Sequence, residues 1–302
     1  MRLATRGSAL ALWQASFVAD RIRAAAPGTD VELVVVSTTG DRLQDRPVWE
    51  LGGQGVFVKE VQAAVLDGRA DAGVHSAKDL PSTPAPGLEL AAFPVRADPR
   101  DVLVGATLDG LGPGAPVATG SVRRRAQLAW LRPDLTFTSL RGNIATRLER
   151  VPSGGAIVMA AAALERLGLN PPVSEVLSPS VMLPQVAQGA IAVECRSADQ
   201  AARDVLEAID DAEVRACVTA ERAYLARLGG GCDLPVGAHA VLEGTGEIRV
   251  DALLASLDGR IMLRATAHGP RSEAASLGSG LAGQILDTGG RSVLGEAGKA
   301  LP

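Results

Sequence analysis

The chain has 302 residues, 47% hydrophobic and 21% charged, which is the balance of a folded protein with room for two or three domains and excludes a disordered or coiled-coil chain. A net charge of −4 and only 3% aromatic residues argue against a nucleic-acid partner, which would want a basic surface and stacking platforms. No basic segment leads into a long apolar run at the start, and the longest apolar stretch, Ala156 to Leu164, is too short to cross a bilayer, so a cytoplasmic protein with no membrane partner is expected.

In chain order, Arg2 to Thr5 reads as a strand, Ser8 to Ala26 as a helix with Leu10, Trp13 and Phe17 on its apolar face, and Val31 to Ser37 as a β-branched strand. A glycine-rich loop at Gly52 to Gly55 leads to a helix over Phe57 to Leu66, then to a strand ending near His75, and Pro81, Pro84 and Pro86 interrupt the stretch after it. After Asp98-Pro99-Arg100-Asp101 the pattern restarts, with strands near Val102, Val117, Thr136 and Ile157 and helices after Ser121, Gly142 and Ala160. A strand at Ala190 to Glu194 and helices over Ala201 to Ile209 and Ala212 to Leu228 come next. Three alternating strands joined by short glycine turns, Val236 to Leu242, Glu247 to Ala255 and Ile261 to Ala267, then precede a helix near Ser272 to Leu286. The class is α/β with mostly parallel sheets, followed by a small α+β part with a three-stranded antiparallel sheet.

Lysine occurs only at 59, 78 and 299, and arginine supplies every other cation, a bias that a GC-rich genome would also produce. Position is more telling. Arg123, Arg124 and Arg125 fall in the first turn of a helix behind Ser121 and a strand ending at Thr119, where the positive end of the helix dipole disfavours cations. An anion is therefore expected there, received by guanidiniums, backbone N–H groups and the two hydroxyls; a solvated basic face or a nucleic-acid patch is the alternative. Arg141-Gly142-Asn143 with Arg147, and Arg6 before the N-cap residue Ser8, repeat the device at other strand ends. Arg166, near a helix C-terminus, agrees with the dipole and needs no ligand. With no nucleotide-binding glycine fingerprint, dispersed arginines fit a ligand bearing many carboxylates.

Two further stretches carry chemistry. In His75-Ser76-Ala77-Lys78-Asp79-Leu80-Pro81, Asp79 suits a general acid or the counter-ion of a cationic intermediate, Lys78 suits a Schiff base or an anion contact, and both also suit an ordinary loop. Of the three cysteines, Cys195 and Cys217 sit in apolar patterns and read as core, and no disulfide framework or metal-ligand spacing is present. Cys232, in Gly229-Gly230-Gly231-Cys232-Asp233, has small neighbours; it is a candidate nucleophile or point of covalent attachment.

Taken together these segments resemble the porphobilinogen deaminases, also called hydroxymethylbilane synthases. The matches run in order through Leu3-Ala4-Thr5-Arg6, Ala11-Leu12-Trp13-Gln14, Val74-His75-Ser76 with Lys78-Asp79, Asp98-Pro99-Arg100-Asp101, Arg123-Arg124, Leu140-Arg141-Gly142-Asn143 with Thr146-Arg147, Gln188-Gly189-Ala190, Thr219-Ala220-Glu221-Arg222 and Gly230-Gly231-Cys232. The resemblance implies a transferase that joins four porphobilinogens head to tail on a dipyrromethane cofactor, linked through a thioether to Cys232, and releases hydroxymethylbilane for tetrapyrrole synthesis. It implies Asp79 as the catalytic carboxylate, stabilising the azafulvene cation left when ammonia departs. Arg6, Arg123, Arg124, Arg141, Arg147 and Arg166 would bind acetate and propionate groups. Ser8, Ser76, Thr119, Ser121, Gly142, Asn143, Gln188, Gly189 and Ala190 would line the cofactor and substrate site, and Lys78 would support it.

The resemblance further implies two domains like those of type II periplasmic binding proteins, residues 1–93 with 189–210 and residues 97–185. A third, cysteine-bearing domain would cover 213–302. A monomer is expected, with porphobilinogen as substrate and uroporphyrinogen-III synthase as a transient recipient of the product. Gln54 and Glu50 stand where many relatives have lysine in and near the glycine-rich loop, which leaves anion binding by that loop open. A non-catalytic anion-binding module and a cysteine hydrolase are the rival readings; no histidine lies in a nucleophile motif to support the second.

Overall fold

The computed structural model describes residues 1–37, 55, 58–230 and 234–300; Gly52 to Gln54 of the glycine-rich loop and Cys232 lie outside the described residues. The chain runs through β1 (Arg2–Arg6), α1 (Ala9–Ala25), β2 (Glu32–Val36), α2 (Lys59–Leu66), β3 (Ala72–Ser76) and β4 (Leu88–Ala92). It continues through β5 (Asp101–Val104), β6 (Pro116–Ala118), α3 (Val122–Leu131), β7 (Thr136–Thr138), α4 (Ile144–Leu148), β8 (Ala156–Ala160), α5 (Ala161–Arg166) and β9 (Ser174–Leu177). Then come β10 (Ile191–Arg196), α6 (Gln200–Glu207), α7 (Ala212–Arg227), β11 (Val236–Glu243), β12 (Glu247–Ala255), β13 (Met262–Pro270), α8 (Ala274–Ile285) and α9 (Arg291–Ala300).

These elements form two compact units, Met1–Ala97 with Gly189–Arg215, and Asp98–Gln188 with Ala216–Pro302. The first holds a sheet of order β2-β1-β3-β10-β4, in which β1, β2 and β3 are parallel and β10 runs against both its neighbours. The second holds a sheet of order β7-β6-β8-β5-β9, again with parallel strands and one reversed strand, β5, in the fourth place. Both are the mixed, mostly parallel α/β sheets expected from the sequence. Their middle strands are buried along their length, as in Ile191 to Cys195 and Ala156 to Ala160, because helices cover both faces.

The first core lies under α1, where Leu3, Ala15, Val18, Ala19, Ile22 and Ile191 meet. This corrects the expected apolar face. The buried residues of α1 are Ala11, Gln14, Ala15, Val18, Ala19 and Ile22, while Trp13 is 37% exposed and stacks on Phe17 with ring centres 5.5 Å apart. Small side chains let the helix approach the sheet, Phe17 packs at the margin of this core, and Trp13 is left outside to cover it.

In the second unit the antiparallel sheet, order β11-β12-β13, packs with α8 and α7. Tyr224 on α7 is fully buried, and its hydroxyl donates to the Leu253 carbonyl at 2.9 Å. A Cβ on Gly278 of α8 would fall 1.9 Å from the Ala220 carbonyl oxygen, so this glycine is what allows the two helices their close approach. Leu253 and Ala255 of β12 cluster with Ala126 of α3 and with Leu183, which joins this sheet to the arginine-bearing one. Among the described residues no helix is long and apolar enough to cross a membrane.

Candidate active site

In the first unit, β1 and β3 are parallel neighbours, so the residues that come after them emerge at the same sheet edge. Arg6 ends β1 and is half-buried; Ser8 caps α1, its hydroxyl accepting from the Ala11 N–H at 3.3 Å. Ser76 ends β3 and exchanges hydrogen bonds of 2.9 and 3.1 Å with the buried amide of Gln14. A single 3-10 turn, Ala77–Asp79, comes next, anchored by the Ala77 N–H on the Ala190 carbonyl at 3.0 Å. Asp79 is thereby held half-buried, and its side chain has no hydrogen bond or ion pair with any described residue. Beneath the turn, buried His75 places Nε2 3.1 Å from Glu194 Oε2, without hydrogen-bond alignment, and Gln62 donates to the same oxygen at 2.9 Å.

In the second unit, the ends of β6 and β7 lie side by side. The Thr119 hydroxyl accepts from the Ser121 N–H at 3.2 Å, and Ser121 caps α3 by accepting from the Arg124 N–H at 3.4 Å. Gly142 has φ 107°, a left-handed conformation that suits glycine, and turns the chain into α4, which Asn143 caps by accepting from the Thr146 N–H at 2.9 Å. Arg147 donates from Nε to the Gly142 carbonyl at 2.7 Å. Arg141 is half-buried, its side chain has no hydrogen bond or ion pair with a described residue, and burial pulls its pKa below the ordinary arginine value. Burial likewise brings Arg166 down to about 10.

The arginine pair on α3 is arranged otherwise than its sequence position suggests. Helix-end charge pointed to an anion from outside, but the chain supplies one itself. Asp101, the first residue of β5 and fully buried, accepts from Arg123 Nη1 at 2.7 Å and from Arg124 Nη2 at 2.7 Å and Nε at 3.0 Å. Arg124 Nη1 reaches the Val158 carbonyl at 2.8 Å and Arg123 Nη1 the Leu183 carbonyl at 2.7 Å. Gln188 completes the group, donating to Asp101 Oδ1 at 3.0 Å and to the Pro99 carbonyl at 2.7 Å. Burial alone would push the Asp101 carboxyl up; the two guanidiniums outweigh it and hold the group well below the usual carboxylate range. Two arginines around one aspartate leave a buried excess of positive charge, and Nε and Nη2 of Arg123, both inaccessible to water, have no hydrogen-bond partner among the described residues.

Gly189, with φ 87°, accepts from the Ala97 N–H at 3.1 Å, and Ala190 bridges to Arg96, so both serve at least as backbone joints of the first unit. Cys195 and Cys217 are buried and in no disulfide among the described residues, and burial raises the Cys195 thiol to about 11, in keeping with core cysteines. Asp101 and Gln14 escaped the sequence reading as site residues. The available signal was an acid opening an otherwise apolar strand, Asp101-Val102-Leu103-Val104, where burial demands a partner.

The family model described as porphobilinogen deaminase, dipyromethane cofactor binding domain, matches residues 1–204, and that of the porphobilinogen deaminase C-terminal domain matches residues 215–287. The chain belongs to the porphobilinogen deaminase family. A porphobilinogen deaminase of Roseiflexus castenholzii is 49% identical over 299 residues, covering 97% of this chain and 98% of the relative. A second, from another Roseiflexus strain, is 48% identical over 297 residues, with 97% of each chain covered. Among solved structures, an amino acid ABC transporter substrate-binding protein from Streptococcus pneumoniae covers 69% of this chain and 86% of its own, at 14% identity and a TM-score of 0.36. The chain is a transferase of tetrapyrrole biosynthesis, and its first two-thirds match the family's cofactor-binding domain.

Proposed function

We propose that Asp79 is the catalytic carboxylate of a porphobilinogen-polymerising enzyme and that Cys232 anchors its dipyrromethane. The observation that carries this is the state of Asp79: a half-buried carboxylate on a turn anchored to the Ala190 carbonyl, with no cation of its own among the described residues. Expulsion of ammonia from the aminomethyl carbon of porphobilinogen leaves a cation on the substrate. A preoriented, partly desolvated carboxylate lowers the energy of that charge as it develops. The hydrogen-bonded pair Ser76 and Gln14 stiffens the strand end next to it.

The arginines divide by what they still have to offer. Arg141, half-buried, offers a whole guanidinium to a ligand carrying acetate and propionate groups; Nε and Nη2 of Arg123 form the edge of a fork that matches a carboxylate but are sealed from water, so that edge must open before a ligand reaches it. Arg6, Arg147 and Arg166, with Lys78, Ser8, Thr119, Ser121 and Asn143, supply further contacts in this reading, while Gln188 and Arg124 act through Asp101. Bound through Cys232, the dipyrromethane would supply the free pyrrole α-carbon to which the first unit is joined, each later unit being joined to the free α-carbon of the ring added before it. In this reading residues 213–302 act as a third domain, the enzyme works as a cytoplasmic monomer, and its unstable product passes to uroporphyrinogen-III synthase.

The test is the intact mass of the purified protein. An excess equal to two linked substrate-derived pyrroles, absent from Cys232→Ala, is expected. A folded, active chain with no excess would overturn the tethering.

A further inference from the structure

Glu221 lies on the inner face of α7 and is fully buried. One carboxylate oxygen accepts from the Ala187 N–H at 2.6 Å and the other from the Ala240 N–H on β11 at 2.7 Å, both short, charge-assisted contacts. Ala187 is the one non-glycine among the described residues with positive φ, at 58°. An alanine stays in that conformation only where its surroundings impose it. Its segment is also fastened elsewhere: the Leu183 N–H donates to Gln127 Oε1 at 2.7 Å, its carbonyl accepts from Arg123, and the Pro184 carbonyl accepts from the Ala238 N–H of β11 at 3.1 Å. The free edge of β11 is thus covered by residues 184–187 and by one glutamate.

The two elements that Glu221 joins are the ones that flank the cysteine in sequence: α7 ends at Arg227, and β11 begins at Val236. We propose that Glu221 is a positioning residue for the reaction: by holding α7, β11 and the segment 183–188 together, it fixes the two elements between which the cofactor-bearing cysteine lies in sequence. This rests on the reading that Cys232 carries the dipyrromethane. A glutamine is the sharp probe, since its side chain has the same length but one acceptor oxygen, so one of the two N–H groups must face an amide NH2.

The experiment uses the full-length protein. Loss of the two-pyrrole mass excess in Cys232→Ala secures the underlying reading; its persistence overturns that reading and this inference with it. Given the loss, Glu221→Gln is expected to carry the excess on a smaller fraction of folded chains and to show kcat lowered by about tenfold, the scale of one lost buried charge-assisted contact, with KM for porphobilinogen nearly unchanged. Adding Ala187→Gly, which adopts positive φ without strain, is expected to recover part of both. Wild-type loading and kcat in Glu221→Gln, or no recovery in the double variant, overturns the proposal. Should Glu221→Gln fail to fold, Glu221→Asp, which keeps the charge but shortens the reach, is measured in the same way. Failure of both to fold overturns a positioning role in favour of a purely structural one.

Discussion

Arg123 Nη1 and Asp101 Oδ2 stand 2.7 Å apart, with the arginine side chain 3% exposed and the aspartate not at all. Removing the anion from such a group strands two buried cations, so Asp101→Asn should lower the unfolding free energy by about 3–5 kcal/mol in a urea titration at neutral pH. The depressed carboxyl sets the sign with pH. A group whose pKa falls on folding stabilises above its unfolded value, here the ordinary 3.8, and loses that contribution as pH drops below it. The difference between wild type and Asp101→Asn should hold constant at higher pH and shrink only in acid.

Arg123 and Arg124 are adjacent in sequence and unequal in use. Arg124 grips Asp101 with two nitrogens and Val158 with the third. A lysine cannot reproduce that planar fork, so Arg124→Lys should lose about 1–3 kcal/mol of stability. Arg123→Lys can keep its single contact to Asp101 and give up the unpartnered edge. It should unfold nearly as wild type does, yet show reduced cofactor loading by intact mass.

Asp79→Asn removes the charge and preserves the shape of the turn. Its unfolding midpoint should match wild type, because the carboxylate has no partner among the described residues to lose. Product formation should fall by about 100- to 1,000-fold, the scale for removal of one preoriented electrostatic group. Near-normal turnover would exclude Asp79 as the catalytic residue.

Gly278→Ala places a methyl group against the Ala220 carbonyl, where the unrelaxed separation is 1.9 Å. Backbone cannot yield there cheaply, and α8 must shift off α7 at a cost of about 1–3 kcal/mol. A lowered melting temperature of the purified protein checks this; an unchanged one would show that the two helices slide freely.

The alternation of strands and helices was legible because buried strands and amphipathic helices leave periodic patterns, and the three C-terminal strands because glycine turns separate them. The face of α1 was misread at Trp13 because size was taken for burial: Trp13 is the conspicuous residue but is exposed, Phe17 packs only at the margin of the core, and smaller residues such as Ala15, Val18 and Ala19 lie fully buried. Strands β4 and β9 escaped notice, being short stretches with polar residues among the apolar ones. At the site, Ser8 was legible as an N-cap, whereas Ser121 and Asn143, read only as contacts to a ligand, also turn out to cap their helices. The destination of the α3 arginines was not legible, since Asp101 lies more than twenty residues away and only the pairing of β5 with β8 brings it under the helix.

The two five-stranded sheets share one layout, with the reversed strand in the fourth place, but that strand is the last of its sheet to be made in the first and the first to be made in the second. Every strand of the second sheet comes from one stretch, residues 101–177, so it can close as soon as that stretch has left the ribosome. The first sheet lacks its fourth strand until Ile191–Arg196 has been made, and β3 and β4, begun more than a hundred residues earlier, have no shared neighbour until then. The unit that starts the chain can therefore be completed only after every strand of the sheet behind it has been made, and until then the edges of β3 and β4 that β10 will cover have no partner, the kind of open edge on which nascent chains aggregate.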